Sequence, residues 1–425
     1  MTLVLFILTL GVSLVIGMPV AFALIICAAA MGLHMDLFDP QIISQRMVVG
    51  ANNFSLLAIP FFLLAGELMN AGGMSRRIIG FAMAFVGHVR GGLGVVAIFA
   101  AIILASLSGS AAADSAALIA IMLPMMKQSG HDEARSVGLM ASGGVIAPII
   151  PPSIAYIIFA VATNLSITQL FMAGIVPGVM MGLGAIIAWL IVARRDNVQP
   201  QPRQGWGVRL RETRKALWSL GMPVIILGGI RFGVVTPTEA AVIAAMYAIF
   251  VGMVVHRELK FEDLFGVFRD AALTTSVVMM LAAAALATAW FITIADLSGI
   301  VLDLVGPLVD SPTLLLIVIM ALVLMIGTML DMGPTILILA PVLLPVVEEA
   351  GIDPIYFGVL FVINCAIGLV TPPVGIVLSV SAGVSGVPLH KVAKGAAPFL
   401  IAQITVLVLL VLFPQLVLAP LNWLR

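Results

Sequence analysis

The chain opens MTLVLFILTLGVSLVIGMPVAFALIICAAAMGLHM, and Asp36 is its first charged side chain. A run this long and this apolar is at home in the hydrocarbon core of a bilayer, which takes about 20 apolar residues per helical pass. There every backbone N–H and C=O must be satisfied internally, so the chain has to be helical or a closed barrel. The apolar runs that follow are long and unbroken rather than ten-residue alternations, which selects helices. Composition agrees: 62% of the 425 residues are hydrophobic and 9% are charged, against roughly 25% charged in soluble domains. The expectation is an all-α polytopic membrane protein.

No basic segment precedes the opening run, so two closely spaced spans hinged at Gly17–Pro19 fit better than a cleaved signal peptide. Formal net charge is zero, and no field draws nucleic acid to the chain. Cys27 and Cys365 sit singly in apolar surroundings, which suits neither a disulfide framework nor a metal cluster. The scattered methionines read as adaptable packing rather than a cofactor site. A P-loop motif is absent from the sequence, so the chain carries no ATPase of its own.

The segment APIIPPSIAY (147–156) sets Pro148, Pro151 and Pro152 inside a very apolar stretch. Proline in a helix interior costs roughly 3 kcal/mol, and hydrocarbon offers no water to the freed carbonyls. A second such break, VTPPVGI (370–376), echoes IIPPSIA (149–155), with Pro372 lying 221 residues after Pro151. At that offset Leu123–Pro124 falls on Leu344–Pro345, Gly130 on Gly351, Gly174 on Gly395 and Pro177 on Pro398. Prolines and glycines fix backbone geometry, so these matches identify two copies of one unit.

Basic residues give the orientation. Loop 127–135 holds Lys127 and Arg135, whereas its counterpart 348–353 holds Glu348, Glu349 and Asp353. One crossing later, 164–169 is uncharged while 389–395 holds Lys391 and Lys394. By the positive-inside rule, equivalent loops lie on opposite faces and the repeats are inverted. HMDLFD (34–39) is then outside. Arg76–Arg77, the polar stretch Arg194–Lys215 and HRELK (256–260) are inside.

From Arg90 to Lys127 the chain leaves the inner face and returns to it, with room for two half-length helices around SLSGS. This reads as a re-entrant hairpin. Its partner spans about 311–349 with the tip MLDMGPT and enters from outside. About ten transmembrane helices remain, with both termini outside. The organisation expected is scaffold helices and an arm at 1–90, a first core repeat at 91–195, a cytoplasmic loop, scaffold helices and arm at 196–311, and a second core repeat at 312–425.

Paired broken helices in inverted repeats point to a transporter's midplane site. Pro152 and Pro373 suit the first turn of a second half-helix, whose free N–H groups favour an anion. The preceding half-helices end near Ala147 and Gly368, and their unpaired carbonyls suit a bare cation. Ser106, Ser108, Gly109 and Ser110 form a polar, flexible tip, followed by Asp114; the second tip offers Thr328, Asp331 and Thr335. A carboxylate at membrane depth needs a partner, and with almost no basic residues there a cation serves. Asn364 and Thr371 border the second break. Glu67 reads as interfacial, TPTE (236–239) as a capping box, and FEDLFGVFRD (261–270) as an amphipathic surface helix.

The SLSGSAAAD tip, the IIPPS and TPPVG breaks and the TPTEA segment together resemble the large membrane subunit of tripartite ATP-independent periplasmic (TRAP) transporters, over essentially the whole chain. The likeness is nearest to sugar-acid permeases of the diketogulonate type. It implies a sodium-driven symporter for small carboxylates or acidic sugars in a bacterial inner membrane, with an elevator-type, ion-transporter-like fold. It further implies a separate small four-helix membrane subunit and a periplasmic substrate-binding protein, with sodium ions for coupling and no other cofactor. By position, substrate contacts map onto Ser108, Ser110, Asp114, Pro152 and Ser153. Tyr156 stands where some sialic-acid relatives carry a smaller polar residue, which argues against that substrate. Sodium sites map onto the tips and breaks: Ser106, Gly109, Ala147, Thr328, Asp331, Thr335, Asn364, Gly368 and Thr371. The rival readings are a proton-coupled carrier with Asp114 or Asp331 titrating, an intramembrane protease, and a passive channel.

Overall fold

The computed structural model describes residues 1–89, 91–194 and 203–424, with backbone alone at 107, 108, 307 and 424. Arg90 and residues 195–202, on which part of the orientation reading rests, lie outside the described residues, as does the side chain of Ser108. Among the described residues all regular structure is helical.

The chain runs through two parallel series. The first has α1 (Thr2–Val15), α2 (Val20–His34), α3 (Pro40–Ala51), α4 (Ala58–Ala71) and the short arm α5 (Met74–Val86). A hairpin of α6 (Gly92–Ser108) and α7 (Ala111–Gln128) follows, then the interrupted pair α8 (Glu133–Gly144) and α9 (Ile154–Thr163), and α10 (Ile167–Ala193). The second series has α11 (Trp206–Arg231), α12 (Pro237–Phe250) with a π-helical turn Val251–Val255, α13 (Phe261–Ile294) and the arm α14 (Leu297–Val309). Its hairpin is α15 (Pro312–Gly327) and α16 (Met332–Glu349), its interrupted pair α17 (Pro354–Gly368) and α18 (Ile376–Ser385), and α19 (Leu389–Leu412) and α20 (Gln415–Leu424) close the chain.

Shifted by the 221-residue offset read from the prolines, α7 lands on the bounds of α16, and α8 begins where α17 begins. The correspondence also reaches the scaffold, where the sequence offered no proline match. Residues of α1 fall on the end of α11, α2 on α12, α4 inside α13, and α5 on α14. Among the described residues six helical stretches are long and apolar enough to cross a membrane by themselves, the longest being Phe261–Ile294 and one of them the hairpin helix α16, and several shorter apolar helices accompany them. With each interrupted pair counted once, α1, α2, α4, α8–α9, α10, α11, α12, α13, α17–α18 and α19 make about ten passes beside the two hairpins.

Two expectations are corrected. Residues 261–270 are not a separate surface helix but the first turns of the continuous α13. In the first copy, Asn53 accepts from Ser55 N at 2.9 Å and starts a 3-10 turn between α3 and α4. At the same offset α13 has Leu273–Thr274, whose threonine hydroxyl donates back to Asp270 O at 3.1 Å, and the helix runs on. The polar stretch Arg194–Lys215 is likewise helical from Trp206 onward. Strong helix formers fill it, and Glu212 pairs with Lys215 one turn later at 2.8 Å.

The arms α5 and α14, of 13 residues each, are about 20 Å long and too short to cross. Arg76 and Arg77 lie on α5, while Asp296, Asp303 and Asp310 lie on or beside α14. Thr236 and Glu239 form the expected capping box at the start of α12.

The copies interlock. α4 packs on α12 as α2 does on α13, and α7 packs on α18 as α16 does on α9. Between α8 and α19 the backbones touch: a Cβ on Gly138 would collide with the main chain of Gly395 and Ala396, and one on Gly395 with that of Ala134. Gln403 Nε2 adds a bond to Ser142 O at 2.8 Å. Buried Trp189 donates from Nε1 to Gly91 O at 2.7 Å, fixing the root of the first hairpin to α10.

Candidate substrate and ion site

Each break forms a cap. In the first, Ser153 is extended (φ −127, ψ 125) and caps α9, accepting from Tyr156 N at 3.3 Å while its Oγ donates to Pro148 O at 2.5 Å. Pro152 therefore precedes the cap instead of occupying the first helical turn, because the extended cap residue separates it from the helix. The second break has Gly375 at φ 52 as the cap of α18, with Pro373 further upstream. The Pro151–Pro152 and Pro372–Pro373 bonds are both cis. Ala147 lies in the irregular segment beyond the end of α8, with its N–H on Gly144 O at 3.0 Å. Gly368 is the last residue of α17.

The hairpin tips dock on these breaks. Gly109, at φ 63, joins α6 to α7, and a Cβ there would lie 3.3 Å from Pro152 O and 3.4 Å from Ile154 N. In the second copy Gly375 N donates to Thr328 O at 3.4 Å. A Cβ on Gly368 would lie 2.7 Å from the carbonyl carbon of Gly327. Both positions need glycine because backbone meets backbone.

A cavity of ≈ 390 Å³ joins these parts. The first copy gives it Gly109, Ser110, Ala111, Ala112, Pro148, Ile154, Ala155 and Ile158; the second gives Asp331, Met332, Gly333, Pro334, Leu369, Ile376 and Val377. The first turns of α7, α9, α16 and α18 thus all border one space and turn the positive ends of their dipoles toward it, although some first-turn N–H groups are already taken, Val377 N by Leu369 O at 3.0 Å and Met332 N by Asp331 Oδ1 at 2.8 Å. Apart from Ser110, Asp331 and Thr274 the lining side chains are apolar, so most of its polarity comes from the backbone. Such a space offers an anion several helix ends and a cation the facing carbonyls, without a cluster of charged side chains.

Of the residues expected at the site, the structure brings Gly109, Ser110 and Asp331 to the cavity wall. Asp331 also caps α16 through Oδ1 on Met332 N at 2.8 Å. Ser110 caps α7, accepting from Ala113 N at 3.4 Å. Asp114, 3% exposed, lies in the first turn of α7 behind that wall. Several hydroxyls bond carbonyls three or four residues back: Ser106 to Ile103 O at 2.6 Å, Thr328 to Met325 O at 2.8 Å, Thr335 to Asp331 O at 2.8 Å and Thr371 to Ile367 O at 2.8 Å. Asn364 donates from Nδ2 to Met320 O at 2.6 Å, and its buried Oδ1 has no hydrogen-bond partner among the described residues.

Tyr156 is a correction. Its fully buried ring packs on Phe171, with centroids 6.4 Å apart, and fills the space left by Gly174. It therefore turns away from the cavity, because the first turn of α9 points its third residue into α10. The scaffold wall, on the other hand, had no sequence signal. Pro19, Val20, Ala21, Leu63, Val277, Val278 and Leu281 are apolar like every lipid-facing residue, and Thr274 alone among the wall's scaffold residues departs from that pattern.

A helical chain of two interlocked, oppositely disposed copies, with all four helix interruptions gathered at one internal cavity, defines a membrane transporter rather than an enzyme. Residues 7–416 match the family "Tripartite ATP-independent periplasmic transporter, DctM component", and the chain belongs to that family of TRAP large permeases. It is 52% identical over 413 residues to the 2,3-diketo-L-gulonate TRAP transporter large permease protein YiaN of Escherichia coli (strain K12), covering 97% of each chain. It is 51% identical over 425 residues to a putative TRAP transporter large permease protein of Haemophilus influenzae, covering all of both. Among solved structures, the YdaH transporter of Alcanivorax borkumensis shares the fold, with a TM-score of 0.65 and 12% identity over 88% of this chain and 87% of that one.

Proposed function

We propose that this chain is the large permease of a sodium-coupled symporter that imports a small carboxylate or acidic sugar across a bacterial inner membrane. The convergence of four helix N-termini on one ≈ 390 Å³ cavity carries the reading. The substrate carboxylate docks against the first turns of α7 and α9, where Ser110 and the N–H groups of Ile154 and Ala155 face the space. Sodium ions settle on carbonyls at the tips and breaks, with Asn364 Oδ1 as a ready-made oxygen ligand in the second copy. The hardness of sodium matches an all-oxygen set of carbonyls and hydroxyls. Positive charge next to Asp114 and Asp331 offsets the cost of holding carboxylates at membrane depth.

Coupling follows from charge. More than one sodium ion per monoanion moves net positive charge inward, and each net charge gains roughly 2.3 kcal/mol at about 100 mV. The core, made of both hairpins and both interrupted pairs, carries the cavity past the scaffold as an elevator. A separate periplasmic binding protein delivers the substrate, and a small four-helix subunit completes the membrane assembly. The identity to the diketogulonate permease favours a sugar acid.

The test is reconstitution of the chain with its small subunit and binding protein in proteoliposomes, screening sugar acids under an imposed sodium gradient. Saturable, electrogenic uptake that vanishes without sodium is expected. Uptake in sodium-free buffer driven by a pH gradient alone would replace this mechanism with proton coupling through Asp114 or Asp331. Flux that does not saturate would identify a pore.

A further inference from the structure

At the opposite end of the first hairpin from its tip, Arg209, the fourth residue of α11, is 7% exposed, and its Nε and Nη2 are buried with no hydrogen-bond partner among the described residues. The guanidinium carbon lies 5.7 Å from the Phe85 ring and 5.3 Å from the Trp206 ring. Those faces attract the cation but accept few of its five N–H bonds. The nearby carboxylate on the same helix, Glu212, is engaged by Lys215 at 2.8 Å and Arg211 at 3.4 Å. A buried charge left without an acceptor is costly.

The end of α5 and the approach to α11, which hold this guanidinium, also border a second cavity, of ≈ 290 Å³, whose wall does not include Arg209 itself. The cavity is lined by Gln204 just ahead of α11, by His88 just after α5, and by Gln128 and Ser129 at the end of α7. His88 Nδ1 and Gln204 Oε1 are also buried without partners among the described residues. Phe85, which holds the guanidinium, sits on the same turn of α5 as Ala84 of the cavity wall. The surroundings are basic, with Arg203, Arg211, Arg214 and Lys215 close by in sequence. Trp206 and Leu210, 76% and 73% exposed, flank Arg209 with apolar surface of the kind that meets lipid.

We propose that Arg209 and this cavity form a phosphate-binding site occupied by the headgroup of an anionic phospholipid of the basic membrane face. Arginine matches phosphate oxygens with paired N–H bonds, basic residues at the cytoplasmic surface attract anionic lipid, and Trp206 with Leu210 receives the acyl region. The site touches α5 and α11 of the scaffold and α7 of the core, so its occupant links the two. This inference does not depend on the transported substrate.

The test uses the full-length purified chain in zwitterionic detergent, with thermal unfolding followed on titration of short-chain phosphatidylglycerol, short-chain phosphatidylcholine or inorganic phosphate. Phosphatidylglycerol is expected to raise the melting temperature, and Arg209→Gln to weaken its apparent affinity roughly tenfold, the worth of a charge-assisted bond. Arg211→Gln, an exposed neighbour, should bind as the wild type does. Gln128→Glu places a carboxylate on the cavity wall from an exposed position and should weaken binding similarly, which keeps the test open if Arg209→Gln does not fold. An equal response to inorganic phosphate, lost in Gln128→Glu, would make the ligand a free phosphate and overturn the lipid assignment. Equal responses to both lipids, or a shift that survives in Arg209→Gln and Gln128→Glu, would overturn the site.

Discussion

The two proline breaks share a sequence pattern, a cis bond and a position in the repeat, yet they sit in opposite surroundings. From Ala147 to Ser153 every residue of the first break is buried. In the second, Thr371 is half-buried and Pro372, Pro373 and Val374 are exposed. The tips follow suit: Gly109 is buried and Ser110 half-buried, whereas Met329 and Asp331 are exposed. Duplicated chemistry therefore does not make duplicated environments. The first break is held by the Ser153 hydroxyl and the seat of Gly109 on Pro152, while the second is capped by Gly375, which has no side chain, and is held by Gly375 N on Thr328 O at 3.4 Å and by Ser379 Oγ on Val374 O at 3.2 Å.

The most severe test replaces the carboxylates at the tips. Asp114→Ala, at the buried tip, should abolish sodium-dependent uptake while membrane insertion, read from expression and protease protection, stays intact. Asp331→Ala, at the exposed tip, removes a helix cap of about 1 kcal/mol and should lower uptake about fivefold. Equal losses would erase the functional difference between the tips.

A smaller effect is expected at the breaks. Ser153→Ala deletes the cap of α9 and strips Pro148 O of its donor, at about 2–4 kcal/mol together, visible as a lower melting temperature in detergent. Thr371→Ala removes a half-buried hydroxyl that donates to Ile367 O near the end of α17 and should change stability by less than about 0.5 kcal/mol. Comparable losses would mean that the second break is as tightly held as the first.

The mildest probe is thiol labelling. Cys27 and Cys365 are buried, so the wild-type background is low. Val374→Cys should react with a soluble maleimide in the folded protein, and Ala147→Cys only after unfolding. Rapid labelling of Ala147→Cys would show that the first break opens as readily as the second.

The features legible in the sequence were those that constrain the backbone. Pro151, Pro372, Gly109 and Gly375 reveal the repeat, the breaks and the tips because a proline or a left-handed glycine leaves few conformations open. Side-chain direction was less accessible. Tyr156 follows the cap and looks like a site residue, but whether it faces the cavity or Gly174 depends on how α9 is rotated, which its uniformly apolar neighbours do not record. The scaffold wall was invisible for a related reason, since Leu63 or Val278 facing a cavity has the same chemistry as a leucine or valine facing lipid. The continuity of α13 was also missed, because the break it lacks is marked only by Asn52–Asn53 in the other copy.

The glycine contact between α8 and α19 has a mechanical consequence. Helix α8 belongs to one copy and α19 to the other, and their main chains meet with no side chain between Gly138 and Gly395. A rocker-switch in which one copy tilts against the other would have to prise this weld apart and strand Gln403 and Ser142. The contact therefore holds the two copies together backbone to backbone along α8 and α19.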